Sequence, residues 1–79
     1  MTDAIDALRR DLDNLVKGRE DWLDTLTLRT PAGIEAGRWR RAVIDLLADL
    51  RLDAVEIELI AEPGPPWILE SRFTEGWAP

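Results

Sequence analysis

The chain has 79 residues, of which 16 are acidic and 10 basic, giving a net charge of −6, and it contains neither cysteine nor histidine. This length predicts one small domain spanning residues 1–79, with roughly 60% of the unfolded chain's surface buried on folding. The missing residue types exclude disulfides, thiolate metal sites and histidine as a general base. The acidic balance disfavours direct binding to nucleic acid, which needs a basic surface.

The first predicted element is an amphipathic helix at about residues 3–17. Its apolar residues recur three or four positions apart, at Ile5, Leu8, Leu12 and Leu15. This spacing indicates one buried stripe. The stripe is expected to pack on the protein's own sheet, although the same spacing also suits the seam of a helical dimer.

A strand is predicted next, at about residues 23–30, because Leu26 and Leu28 alternate with threonines. Pro31 then interrupts the pattern and leaves two starts for the second helix. The helix could begin directly at Pro31. Glycines at 33 and 37 would weaken such a helix by roughly 1 kcal/mol each, which favours the later start, near residue 37.

The second helix is predicted at about residues 37–51. Its buried stripe consists of Trp39, Val43, Leu46, Leu47 and Leu50. Trp22, which precedes the first strand, is expected to join Trp39 in the core.

Two further strands are predicted, at about 54–62 and 67–74, on either side of a loop that contains three prolines. Alternation assigns the odd-numbered residues of both strands to the core and the even-numbered ones to the other face. The two strands are expected to form an antiparallel hairpin. The predicted fold class is therefore α+β, in the order α-β-α-β-β, with a small three-stranded sheet and both helices on one face.

The sequence lacks the residue combinations that catalysis requires. Ser71 is the only serine, and no histidine or cysteine is present to activate it. The segment 33–37 lacks the lysine and the Ser/Thr of a phosphate-binding loop. The carboxylates follow no Ca²⁺-loop pattern. We therefore expect a protein that is not an enzyme and that has no catalytic residue, cofactor or metal site.

The strongest candidate for a binding surface is the even-numbered face of the last two predicted strands. It carries acidic residues around two aliphatic ones, a combination that suits a partner rich in arginine or lysine. An ordinary solvated sheet face is the alternative interpretation. Trp77 is a second candidate contact, since tryptophan is enriched at binding hot spots; it could instead seal the small core. The predicted partner-binding residues are Glu56, Glu58, Ile60, Glu62, Ile68, Glu70 and Trp77.

In composition the chain resembles small phage-encoded antagonists such as anti-CRISPR proteins and DNA mimics, which are also short, acidic and free of catalytic motifs; it shares no sequence motif with them. The resemblance implies an inhibitor or adaptor that occupies a basic, nucleic-acid-binding surface of a partner complex. The alternative is a self-associating structural subunit, so that both a monomer and a homodimer are open. No apolar run of about 20 residues and no signal peptide is evident, so a cytoplasmic protein without membrane contact is expected.

Overall fold

The computed structural model describes residues 3–52 and 55–75, and these form two helices and a three-stranded mixed sheet. In chain order the elements are α1 (Asp3–Val16), β1 (Trp22–Arg29), α2 (Ala36–Asp49), β2 (Glu56–Ile60) and β3 (Ile68–Thr74). The predicted α+β class and the order α-β-α-β-β are thus confirmed. β2 is shorter than predicted, and the expected start of that strand at residue 54 lies outside the described residues.

The sheet has the strand order β2-β1-β3, with β1 in the centre. β1 runs parallel to β2 and antiparallel to β3. The predicted hairpin between β2 and β3 is therefore wrong. Leu26 and Leu28 of β1 are fully buried. The central position removes the most apolar surface from water, so it favours the strand whose core-facing side chains are the most apolar. The connection 61–67 crosses the end of β1, where the Arg29 N–H donates to the Trp67 carbonyl at 2.8 Å.

Two irregularities in the pairing of β1 with β3 invert the alternation of side chains. Asp24 is the extra residue on β1, and Leu69 is the extra residue on β3. Because each inserted residue moves the following side chains to the other face, parity cannot be extrapolated through it. Ile68 consequently pairs with Leu28 and packs against the core, whereas Leu69 is exposed. Both residues were predicted on the opposite faces.

The core lies between the sheet and the two helices. Trp39 is its largest member, 1% exposed, and its indole Nε1–H donates to the Arg29 carbonyl at 3.0 Å. The Trp39 ring also lies 6.3 Å from that of Trp67, tilted by 54°, a favourable aromatic geometry. Among the described residues, the buried apolar ones are Leu8, Leu12, Leu23, Leu26, Leu28, Trp39, Val43, Leu46 and Leu47.

α2 begins at Ala36, which agrees within one residue with the later of the two predicted starts. Pro31 belongs to a turn instead of the helix, and its carbonyl accepts a 3.4 Å hydrogen bond from the Ile34 N–H. Gly33 has a φ of 83° in this turn, a conformation that glycine adopts without steric cost.

The carboxyl end of α2 closes with a pair of backbone hydrogen bonds. The Leu52 N–H donates to Leu47 at 2.8 Å, and the Arg51 N–H donates to Ala48 at 3.1 Å. This is the Schellman arrangement, in which the residue after the helix cap takes the left-handed conformation. Arg51 occupies that position with a φ of 62°. A non-glycine residue there is strained, because its Cβ approaches the backbone.

Replacing Arg51 with glycine is expected to raise the free energy of unfolding by about 0.5–1 kcal/mol, because the backbone strain is relieved. Glycine's larger conformational entropy in the unfolded chain offsets part of this gain. Gly18 provides the reciprocal test, since it follows α1 with a φ of 74°. Gly18→Arg should lower stability by about 1 kcal/mol. Urea unfolding measures both, and a destabilised Arg51→Gly variant would contradict the assignment of strain.

Candidate partner-binding face

The sheet face opposite the helices carries the candidate site. Leu26 and Leu28 enter the core, so Thr25 and Thr27 of the same strand lie on the other face. Paired residues on neighbouring strands share a face, which extends this surface over the whole sheet. The buried residues of both helices belong to the cluster that contains Leu26 and Leu28, on the other side of the sheet. We call the surface opposite the helices the open face; its members are Trp22, Thr25, Thr27, Arg29, Glu56, Glu58, Ile60, Glu70, Arg72 and Thr74.

The acidic residues of the open face lie on its two edges. Thr27 pairs with Glu58 of β2 on one side and with Glu70 of β3 on the other. The two carboxylates therefore flank a central threonine at a strand separation of about 10 Å. The sequence placed them on adjacent strands, whereas β1 separates them.

Basic residues give the open face a mixed charge. Thr25 pairs with Glu56 of β2 and with Arg72 of β3, so an acid and a base occupy opposite edges of this row. None of the ion pairs found among the described residues involves Glu56, Glu58 or Glu70. These three carboxylates are therefore exposed and free of ion pairs within the described residues.

Glu62 differs from the other predicted acids because it lies beyond β2 and faces Arg29. The Arg29 Nη2 is 3.6 Å from a Glu62 carboxylate oxygen, and Nη1 donates to the Gly64 carbonyl at 3.4 Å. Arg29 Nε is buried and has no hydrogen-bond partner among the described residues. Glu62 thus helps to compensate a half-buried arginine, which leaves it less able to bind an outside cation.

Of the two predicted aliphatic contacts, only Ile60 lies on the open face, where it pairs with Arg29 and is half-buried. Ile68 packs against the core instead, because of the irregularity at Leu69. The prediction that Ile60 and Ile68 together form an aliphatic centre on this face is therefore wrong. Trp77 lies outside the described residues.

Trp22 is an exposed residue of the open face that the sequence did not predict there. It was expected in the core, but it is 62% exposed, the largest value among the exposed large apolar residues of the described chain. Its even number matches that of the buried Leu26, and strict alternation would point it inward. The extra residue Asp24 breaks this relation, because Leu23 enters the core and Trp22 faces away. The only sign of the extra residue in the sequence is the spacing of Leu23 and Leu26, which are three positions apart, whereas a regular strand places residues two positions apart on one face.

An ion pair lies next to Trp22 at the start of β1. Arg19 donates two hydrogen bonds to the Asp21 carboxylate, at 2.9 and 2.7 Å, and its guanidinium lies 3.6 Å from the Phe73 ring centroid. The hydrogen bond from Arg19 holds the pKa of Asp21 below its ordinary value and raises the pKa of Arg19. The two charges of this pair thus neutralise each other beside the exposed Trp22.

Other kinds of site find less support. In the described part of the chain, no group of three or more Asp or Glu residues is arranged to hold a metal ion. An apolar surface cleft of about 310 Å³ lies where α1 and α2 begin, beside Ile5, Ile34 and Trp39, and its ionisable lining residues are Glu35 and Arg38. No helix formed by residues 3–52 and 55–75 is long and apolar enough to cross a membrane.

Comparison of the chain with protein-family models, with curated proteins and with solved structures gave no match.

Proposed function

We propose that this protein is a non-enzymatic inhibitor or adaptor that uses its open face to occupy a basic, nucleic-acid-binding surface of a partner protein. The observation that carries the proposal is the set of three exposed carboxylates, Glu56, Glu58 and Glu70, which flank the threonines of β1 and lie outside the ion pairs of the described residues. Such acids steer a basic surface toward the face and form charge-assisted hydrogen bonds with it.

The composition of the chain supports the same class of partner. A net charge of −6 repels nucleic acid, and it attracts proteins that themselves bind nucleic acid. Trp22 adds apolar area at one end of the face, where a tryptophan can anchor a contact that charge alone would leave weak. The chain's resemblance in composition to anti-CRISPR proteins and DNA mimics supports the same proposal, because it also implies an inhibitor of a nucleic-acid-binding partner.

Charge reversal on the open face tests the proposal. The triple variant Glu56→Lys, Glu58→Lys, Glu70→Lys is expected to weaken capture of basic, heparin-retained proteins from an extract of the source cells by about tenfold or more, because each paired charge contributes about 1 kcal/mol or more. Binding of the wild-type protein should also fall with salt, and this dependence should flatten in the variant. A captured protein that is the true partner should lose its nucleic acid as wild-type protein is added.

A matched control separates the face from the overall charge. Asp11, Asp13 and Asp45 are exposed and lie on the two helices instead of the sheet, and their replacement by lysine changes the net charge by the same amount. The control should retain most of the binding. Equal losses in both triple variants would mean that net charge alone acts, and unchanged binding in the first would refute the assignment of the face.

Self-association remains the alternative function, because β2 and β3 each have one edge without a neighbouring strand among the described residues. Sedimentation equilibrium distinguishes the two functions. A concentration-independent monomer agrees with the inhibitor or adaptor, whereas a stable dimer that is lost on charge reversal of the open face would favour the structural subunit.

A further inference from the structure

The free edge of β2 exposes backbone groups that can pair with another strand. The Thr30 N–H donates to the Ile60 carbonyl at 2.9 Å, so the peptide groups of Ile60 face β1. Backbone direction alternates along a strand, and those of Ile57 and Leu59 therefore face away from β1. No described strand pairs with β2 on that side.

The two sides of this edge differ in chemistry. Glu56 and Glu58 project on the open face and are exposed. A shallow cleft of about 550 Å³ runs beside β2, and its lining joins open-face residues to Ile44 of α2, which is 47% exposed. The residues that line this cleft are Thr25, Arg40, Ile44, Val55, Glu56, Ile57 and Glu58. An added strand would thus have Glu56 and Glu58 on the open face, and Ile44 and Ile57 beside Arg40 on the helix side.

We propose that the β2 edge binds an extended segment of the basic partner by strand addition, with basic side chains over Glu56 and Glu58 and apolar side chains over Ile44 and Ile57. Backbone hydrogen bonds supply affinity in this mode, and alternate side chains supply specificity. The inference rests on the proposed function, because it assumes a basic partner and specifies how that partner binds. Arg40 on the helix side further disfavours basic side chains there.

Charge complementarity favours a basic segment of the partner over a second copy of the chain at the β2 edge. Pairing of β2 with its own copy would bring Glu56 and Glu58 beside the same two residues of the other molecule, and like charges opposite each other destabilise a sheet. The β3 edge is a poorer template, because the extra residue Leu69 disturbs the strand, and such irregularities protect edges from pairing.

Two isomeric peptides test strand addition. The probe is a short peptide of alternating arginine and valine, prepared unmodified, with N-methyl groups on every valine, or with N-methyl groups on every arginine. The two methylated forms have the same charge and composition, and they block opposite edges of the extended peptide. We expect the unmodified peptide to bind and one methylated isomer to lose affinity by about tenfold or more, since it loses at least two hydrogen bonds to β2.

Hydrogen exchange locates the contact. The backbone amides of Ile57 and Leu59 should become protected when the unmodified peptide binds, while amides on β3 should not change. Equal affinity of the two methylated isomers would overturn strand addition but leave the charged open face as the binding surface. Failure of the unmodified peptide to bind would also overturn strand addition; the proposed function would then be decided independently by the capture experiment with the charge-reversed variant.

Discussion

Replacing Trp39 with alanine is expected to lower the free energy of unfolding by about 3–5 kcal/mol, the cost typical of removing a buried tryptophan. A domain of 79 residues has a total stability of only about 4–12 kcal/mol, so the variant should lose a large fraction of that stability. Trp39 is 1% exposed and packs against Trp67, and its removal would leave a cavity that a thin core cannot fill.

The same tryptophan also joins α2 to the end of β1. Its indole N–H donates to the Arg29 carbonyl, just where the chain leaves the sheet for the turn at Pro31. Trp39→Phe keeps most of the apolar volume and removes this donor. We expect it to cost about 1–3 kcal/mol, because the carbonyl loses its hydrogen bond in a half-buried position.

Trp22→Ala is the matched control for Trp39→Ala, since it makes the same substitution at a side chain that is 62% exposed. It should change stability by less than about 1 kcal/mol. Urea unfolding of the three variants, followed by circular dichroism, measures their losses of stability. The expected order, from the largest loss to the smallest, is Trp39→Ala, Trp39→Phe, Trp22→Ala. Equal losses for the two alanine variants would contradict the different burial of the two tryptophans.

The helices could be predicted from the sequence because their signals are local. The stripe that contains Leu8 and Leu12 needs only the helical period, and the breaker at Pro31 limits where α2 can start. Strand pairing is different, because it depends on residues far apart in the chain. Proximity in sequence favoured a hairpin of β2 with β3, and nothing local showed that β1, with Leu26 and Leu28, would lie between them.

The candidate site was predicted in part for the same reason. Glu56, Glu58 and Ile60 lie on the open face because β2 alternates without interruption. Ile68 and Trp22 were assigned to the wrong faces because each is separated from the regular part of its strand by one extra residue. An irregularity of this kind is specified by how two strands fit together, and a single strand's pattern carries little sign of it.

Trp22→Ala is also expected to have the largest effect of any single substitution on partner binding, a loss of at least about 2 kcal/mol, or roughly 30-fold in Kd. β2 begins opposite Thr25, so the described β2 does not extend to the row of Trp22, and the ring stays accessible beside β3. Covering it would remove apolar surface from water, which the carboxylates cannot do. Titration of the captured partner against wild-type and variant protein measures the loss.

Ile34→Ala is the control for this experiment, because Ile34 is also an exposed apolar residue, at 37%, but it lies in the turn before α2 and off the open face. It should leave both affinity and stability unchanged. If Trp22→Ala retained full affinity while charge reversal of Glu56, Glu58 and Glu70 abolished binding, the face would act by charge alone. Since charge contacts weaken steeply with salt and apolar ones do not, the salt dependence of the Trp22→Ala variant distinguishes an anchored contact from a purely electrostatic one.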